Sequence, residues 1–347
     1  MAVAIPTLSQ GTSQPKASAA RSLVRLVRRP EAGSFLGLIA VFVFFSISAG
    51  QEFLAPSGFS SWLNVAAEIG IVALPIGLLM IAGELDMSVG ATIPASSLTV
   101  AVISGYFHLP EPLGFAAGLA VGVAVGYVNG ALVNRTQLPS LIVTIGTMFA
   151  LMGLTLGVSV LLTGSTSTAI VPSETSKALL GDFVGGMFQV TIFWWLGFAA
   201  VFVYLLHVSP VGNWIFALGG DRLSARNAGI PTERLTTSLF MLSGLCSAFV
   251  GVSQAVVYQS AQVAGGQSFI FNSVMCVVIG GVLLTGGFGS VLGIVLGTTT
   301  FAMVNQGIYF TGFDPNLGSV IIGALLLVAV LTNDSFRRMA LSYSKNK

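Results

Sequence analysis

Residues 217–230 read Ala217-Leu218-Gly219-Gly220-Asp221-Arg222-Leu223-Ser224-Ala225-Arg226-Asn227-Ala228-Gly229-Ile230, a polar island between two long apolar runs. The flanking runs suit only a lipid bilayer, so the island itself belongs in water. Arg222 and Arg226, with Arg234 just beyond, put that water in the cytoplasm, because inner loops carry the excess of Lys and Arg. Ser224, Ala225 and Ala228 are small, Leu223 and Asn227 stand four apart, and Gly229 followed by Pro231 supplies a stop signal. The pattern predicts a short amphipathic helix at the membrane surface. Two readings fit it: a contact face for a partner protein, with Ala225, Ala228 and Gly229 small enough for close approach, or a soluble linker that holds the inner charge.

The apolar surroundings extend over most of the 347 residues, of which 54% are hydrophobic and 7% charged. Soluble domains carry roughly 25% charged residues. With a mean hydropathy of +0.91, the chain reads as an all-α polytopic membrane protein. Its 42 glycines are scattered through the apolar runs, where small residues let helix backbones approach closely. Cys246 and Cys276 both fall inside such runs and read as packing residues rather than a disulfide framework.

At about 20 apolar residues per span, ten transmembrane helices are expected, near 34–51, 61–82, 89–107, 113–133, 139–163, 189–207, 236–257, 270–285, 290–309 and 317–333, with both termini cytoplasmic. Thirteen of the fourteen basic residues then lie inside, leaving only Lys177 outside. Moving the count by one helix would throw the last four, Arg337, Arg338, Lys345 and Lys347, to the wrong side. The chain divides into a disordered cytoplasmic tail (1–33), a transmembrane domain (34–334) with a cytoplasmic loop at 208–235 and a large periplasmic loop at 164–188, and a cytoplasmic tail (335–347). Arg21, Arg25, Arg28 and Arg29 directly precede the first span, which is read as an uncleaved helix because its polar lead is too long for a signal peptide. The 164–188 loop is either a docking surface or a solvated connector. Asn129 and Pro139 stand ten residues apart, as do Asn305 and Pro315, on turns of opposite orientation. The match suggests two inverted-repeat-like halves.

No phosphate loop of the Gly-x-x-x-x-Gly-Lys-Ser/Thr type occurs, and His108 and His207 fall at opposite expected membrane faces, so neither nucleotide hydrolysis nor a metal or His-centred catalytic system is expected in this chain. Nothing points to nucleic acid. Glu84 and Asp86 interrupt the apolar sequence in Gly83-Glu84-Leu85-Asp86-Met87-Ser88-Val89-Gly90. Charged groups at membrane depth cost about 2.5–3.5 kcal/mol each on insertion scales and need a cavity, a partner or a surface. Asp86 fits either a helix N-cap for the third helix or a transport role. Glu68 lies mid-helix near Asn64, Val72 and Pro75 and is expected to face the bundle interior. Together with Asp86, Ser88, Asn129, Thr144 and Thr147, it forms the candidate substrate path. Gly280-Gly281 and Gly286-Gly287-Phe288-Gly289-Ser290 read as close helix packing at an inner turn.

Residues 83–90 resemble the Gly-Gly-Ile-Asp-Leu-Ser-Val-Gly signature of ribose-type ABC sugar importer permeases, with Glu84 standing where that signature has its second glycine. The island at 219–230 is similar to the cytoplasmic coupling segment of that family. Asn129-Gly130 with Pro139 and Ile145-Gly146-Thr147, and Gly280-Gly281 with residues 286–293, resemble its other recurring stretches in the same order. The resemblance covers about Phe53 to Asp334. It implies a multi-pass subunit of a bacterial inner membrane, working as a pair of permeases with a cytoplasmic ATPase and a periplasmic sugar-binding protein. ATP and magnesium would be bound by that ATPase and no cofactor by this chain. Gly219, Gly220, Asp221, Ala225, Arg226, Gly229 and Ile230 would dock on the ATPase. The competing expectation is an ion-coupled secondary transporter that uses Glu68, Glu84 or Asp86 as its ion site.

Overall fold

The computed structural model describes residues 31–312 other than 137, together with 314, 317, 320, 323, 324 and 327. Most of the expected N-terminal tail, most of the tenth span at 317–333, Pro315 of the suggested repeat, and the tail at 335–347 lie outside the described residues.

Helix α1 (Glu31–Ser48) is followed by a single turn, α2 (Gln51–Leu54), and then by α3 (Pro56–Ile81). After the 82–88 loop come α4 (Val89–Val100), continued by a π-helical turn at Ala101–Tyr106, then α5 (Glu111–Thr136) and α6 (Ser140–Thr163). A long connection holds strand β1 (Ser167–Ala169), the short turn α7 (Glu174–Ser176) and the hairpin β2 (Phe183–Val184) with β3 (Phe188–Gln189). Helix α8 (Thr191–Val203), extended by a π-helical turn at Tyr204–Val208, leads to α9 (Pro210–Gly220), α10 (Arg222–Asn227) and α11 (Thr232–Val257). Strand β4 (Ser260–Gln262), α12 (Gln267–Ile279), α13 (Val291–Gly307) and a closing turn at Ile308–Phe310 follow. Among the described residues, seven helices are long and apolar enough to cross a membrane, and α1 and α12 contain shorter apolar helices.

Helix α3 is the axis of the bundle. From Ile69 to Ile81 it is apolar around its whole circumference, as a helix surrounded by other helices must be, and every residue of that stretch is buried. Within its most apolar stretch 83% of residues are buried, against 22% for α6, so α6 is peripheral and shows Ile142, Phe149, Leu154 and Leu161 outward. Helices α8, α11, α12 and α13 surround α3.

The broadest helix pair is α5 on α11. Its cause is a glycine every fourth residue along α5, all buried: Gly122, Gly126 and Gly130 face α11, while Gly114 and Gly118, earlier in the same stripe, lie against Ser96, Val100 and Ser104. A side chain on Gly122 would meet the Gly244 carbonyl oxygen, one on Gly126 the Phe240 carbonyl oxygen, and one on Gly130 the Thr237 Cα. The two backbones therefore touch, with a stripe of residues four apart forming one face of the helix. The α12–α13 pair repeats the device: Gly280 lies on Gly293, and Gly297 on the Cys276 carbonyl. The glycine-rich turn at 280–289 is thus a packing element, as expected. Helix α12 stops at Ile279 and not near 285, because Gly281 takes a left-handed conformation (φ 87°) that ends the helix.

One face of the bundle carries the 164–190 connection, with β1 paired antiparallel to β4 (Ser167 opposite Gln262, Ala169 opposite Ser260). The opposite face carries α9, α10 and the 82–88 loop.

Candidate functional site

The island forms α10, a short helix as expected. Asp221 is its N-cap: the Ser224 N–H donates to Asp221 Oδ1 at 2.6 Å. Ser224, through its hydroxyl first and its N–H second, holds the exposed Asp221 carboxyl below the usual carboxylate range. At the other end Gly229 turns left-handed (φ 84°), and the Ile230 N–H closes the helix on the Ala225 carbonyl at 3.1 Å. One expectation is corrected here. Ala225, read as facing a partner, is buried at 3% exposure against its own chain, while Leu223 is 68% exposed and Asn227 and Ala228 lie open. Small size at 225 serves the internal fit of α10, and the outward face belongs to Leu223.

Three glycine turns fix α10 and α9 to the bundle. The Gly287 N–H donates to the Ile81 carbonyl at 2.8 Å, and Gly219 lies so close to that same carbonyl and to the Gly287 nitrogen that no side chain fits. Gly83 and Gly286, both left-handed, meet at the same point. Beside it Arg222 donates to Glu84 Oε1 at 2.7 Å and, through its other guanidinium nitrogen, to Asn134 Oδ1 at 2.7 Å. The Asn134 amide in turn donates to the Glu233 carbonyl (2.8 Å) and to Thr237 Oγ1 (3.0 Å). A charged chain thus runs from the 82–88 loop through α10 to the ends of α5 and α11. A cavity of about 500 Å³ opens here, lined by Glu84, Asn134, Pro139, Arg222, Leu223 and Arg226 among others. Arg226 also reaches Glu233 at 3.9 Å, an exposed pair of little energetic weight.

Deeper in the bundle the structure brings together five of the six residues expected on the substrate path. The Ser88 N–H and hydroxyl both donate to Asp86 Oδ1, at 2.9 and 2.6 Å. Asn129 Nδ2 donates to Ser88 Oγ at 2.8 Å, and the Thr147 hydroxyl donates to Asn129 Oδ1 at 2.6 Å. The hydroxyls of Ser140 and Thr144 accept the backbone N–H groups of Leu85 (2.9 Å) and Met87 (3.1 Å). Asp86, Ser88, Asn129 and Thr144 are all at most 2% exposed. Ser243 of α11 stands beside the Asp86 carboxylate, short of full hydrogen-bond geometry. The expected N-cap is therefore corrected: Asp86 braces the turn before α4 and gives no side-chain bond to the helix's own first amides, because its reach is taken by Ser88. The arrangement fastens the 82–88 loop to α4, α5 and α6.

Glu68 lies apart, toward the face of the β1–β4 sheet. Gln254 Nε2 donates to Glu68 Oε2 at 2.8 Å and the Tyr258 hydroxyl to Oε1 at 3.4 Å. Asn64, one turn before it, binds the backbone of the β2–β3 hairpin, donating to the Met187 carbonyl and accepting the Gln189 N–H. Sequence reading missed Asn134, Ser140, Ser243, Gln254 and Tyr258. Gln254 carried a usable signal, a polar side chain within an apolar helix. Among the described residues, no group of three or more His, Cys, Asp or Glu could hold a metal ion.

Residues 58–330 match the family described as the permease component of branched-chain amino acid transport systems. Three curated relatives are similar over most of their length. The fructose import permease protein of Rhizobium meliloti is 29% identical over 90% of this chain and 87% of its own. The ribose import permease protein of Bacillus subtilis is 30% identical over 86% and 91%, and the autoinducer 2 import system permease protein of Salmonella typhimurium is 29% identical over 76% and 79%. No solved structure matches. Apolar helices stacked through backbone contacts, with two polar faces joined by them, agree with that match, and the chain belongs to this permease family as a multi-pass inner-membrane transport subunit rather than an enzyme, as its relatives are.

Proposed function

We propose that the chain is the membrane-spanning subunit of an ATP-binding-cassette importer for a monosaccharide or related small carbohydrate delivered by a periplasmic binding protein. The relatives named for fructose, ribose and autoinducer 2 import support the substrate class, and they favour this reading over ion-coupled transport. In it ten helices span the membrane with both termini cytoplasmic, the α9–α10 face meets the ATPase, the β1–β4 face meets the binding protein, and two permease copies act as a pair. Positive charge at Arg135, Arg222, Arg226 and Arg234 supports that orientation. Reporter fusions after Ser209 and after Lys347 should report cytoplasm and one after Lys177 periplasm. A C-terminal fusion reporting periplasm overturns the arrangement.

The observation that carries the coupling role is α10: a capped, exposed helix with Leu223 standing out, hydrogen-bonded at its root to the 82–88 loop. Gly219, Gly220, Asp221, Arg226, Gly229 and Ile230 shape or flank it. A push on α10 travels through Arg222 to Glu84, and from there through the Asp86–Ser88–Asn129–Thr147 network into three spanning helices. The partner supplies ATP hydrolysis and this chain the rigid lever.

Leu223→Glu tests this. It puts an unpaired charge where the partner would be, and losing an anchor of this kind costs about 2 kcal/mol or more. With the reconstituted importer, membrane insertion and melting temperature should match the unaltered protein while uptake and ATP hydrolysis stimulated by the binding protein fall at least tenfold. Unchanged stimulation would remove α10 from the coupling role.

A further inference from the structure

The face opposite α10 contains a second cavity, of about 360 Å³, within the roughly 300–1,000 Å³ typical of small-molecule sites. Its polar lining is Glu68 on α3, Ser97 on α4, Gln254 on α11, Tyr258, and Ser260 and Gln262 of β4, with Pro94 and Phe269 as apolar walls. Gln254 lies 21 residues beyond Glu233 on α11, so roughly 30 Å of helix separates this cavity from the α10 site. We propose that this cavity is a binding site for a single neutral polyhydroxyl molecule on its way in, with Glu68 as the residue that reads its hydroxyl pattern. The inference rests on the reading of the chain as a carbohydrate importer and adds the place and the recognising group.

The chemistry of the lining carries the choice of ligand. One carboxylate, two amides, a phenol and two hydroxyls supply both donors and acceptors, as a ring of hydroxyl groups requires. Among the described residues, Glu68 is the only charged group in the lining. A single carboxylate with amide neighbours is a poor cage for a divalent cation, which takes six or more oxygen ligands or several carboxylates. An anionic ligand has no cation to meet, and a purely apolar one would leave the carboxylate and amides unpaired. Among the described residues, each oxygen of Glu68 has one donor, Gln254 on one and Tyr258 on the other. A carboxylate oxygen accepts more than one hydrogen bond, so both remain able to take adjacent hydroxyls. The Tyr258 contact at 3.4 Å is long and easily exchanged for a ligand hydroxyl. Gln254 fixes the carboxylate from the other side.

Access is built in. Ser260 and Gln262 belong to β4, which is paired to β1 of the 164–190 connection. A protein docked on that connection would therefore stand beside the strand that borders the cavity.

The test uses the complete importer in vesicles, with permease, ATPase and binding protein, and a panel of radiolabelled D-ribose, D-fructose, D-xylose and D-glucose. For the sugar carried best, Glu68→Gln should lower uptake at limiting sugar about tenfold, the size expected for one lost hydrogen bond to a charged group, and should change the ratio of uptake between sugars that differ at one hydroxyl. Stimulation of ATP hydrolysis by the loaded binding protein should stay within about twofold of the unaltered importer, since α10 and its contacts are untouched. Gln262→Ala, at an exposed position, should lower uptake in the same direction by a smaller factor. Wild-type uptake with unchanged sugar preference in Glu68→Gln overturns the site while leaving the importer reading intact. Parallel loss of uptake and stimulated hydrolysis also overturns it, by making Glu68 structural. Sodium- or proton-driven uptake that vanishes with Glu68 assigns the carboxylate to an ion and overturns it, and failure of the unaltered importer to carry any sugar in the panel overturns the substrate class itself.

Discussion

Gly126→Leu should abolish the folded protein, while Gly153→Leu should leave it intact. Both glycines lie within spanning helices and both replacements keep a good helix former in an apolar segment. The difference is what each position touches. Gly126 on α5 faces the Phe240 carbonyl, and the Met241 Cα lies 2.6 Å from where its Cβ would be. These are backbone atoms of α11 and cannot rotate aside. Adding methylenes to a packed core costs about 1–3 kcal/mol even where side chains can yield. Here the helices must separate, taking with them the close contacts at Gly122 and Gly130. Nothing lies within 4 Å of a Cβ at Gly153, which is exposed on α6. Monodisperse elution in detergent and melting temperature measure the outcome. A Gly126→Leu protein that elutes and melts like the unaltered one would mean that the α5–α11 contact is not as close as described.

That interface marks the limit of what the residues disclosed by themselves. The spans were legible because an apolar run of about 20 residues has one stable setting in a bilayer: α3, α5, α6, α8, α11 and α13 fall within a few residues of their expected places. The glycine at every fourth position of α5 was equally visible in the sequence. Its partner was not, since spacing names a face and says nothing of which helix covers it. The same holds for Ala225. A six-residue helix has fewer than two turns, too short for a period to distinguish inward from outward, and only the contacts of α10 with the bundle show that Ala225 is inside and Leu223 outside. Asp86 was legible as a costly group in need of partners, and Ser88, Asn129 and Thr147 were all named beforehand. Their joining into one network was not, because they come from the start of α4, the last third of α5 and the beginning of α6. Glu84 was legible as a costly group and as a departure from a glycine in the signature it resembles, but its partner was not. Its reason is 138 residues away along the chain.

The reason is Arg222, and breaking the pair should separate ATP use from uptake. Glu84 is 10% exposed in its side chain and Arg222 is 41% exposed, with 2.7 Å between them. A hydrogen bond to a charged group contributes about 1.5–3 kcal/mol, and the exposure of Arg222 puts this one toward the low end. Glu84→Ala strands Arg222 with Asn134 as its remaining side-chain partner, whereas Arg222→Ala strands both Glu84, which is the more buried of the two, and Asn134. Arg222→Ala should therefore cost more stability, and the double variant should be no worse than Arg222→Ala, because the two residues act through each other. The functional consequence follows from position. Arg222 is the root of the helix proposed to meet the ATPase, and Glu84 stands two residues before Asp86, whose network reaches α4, α5 and α6. Without the pair, α10 still presents Leu223, so binding-protein-stimulated ATP hydrolysis should persist within about twofold, while sugar carried per ATP hydrolysed should fall roughly fivefold to tenfold, the factor that about 1–1.4 kcal/mol of lost coupling represents. Vesicles holding the whole importer, assayed for uptake and phosphate release in the same sample, give that ratio directly. Equal losses of hydrolysis and uptake would make the pair a simple stabiliser of α10, and an unchanged ratio in both single variants would take Glu84 out of the transmission path altogether.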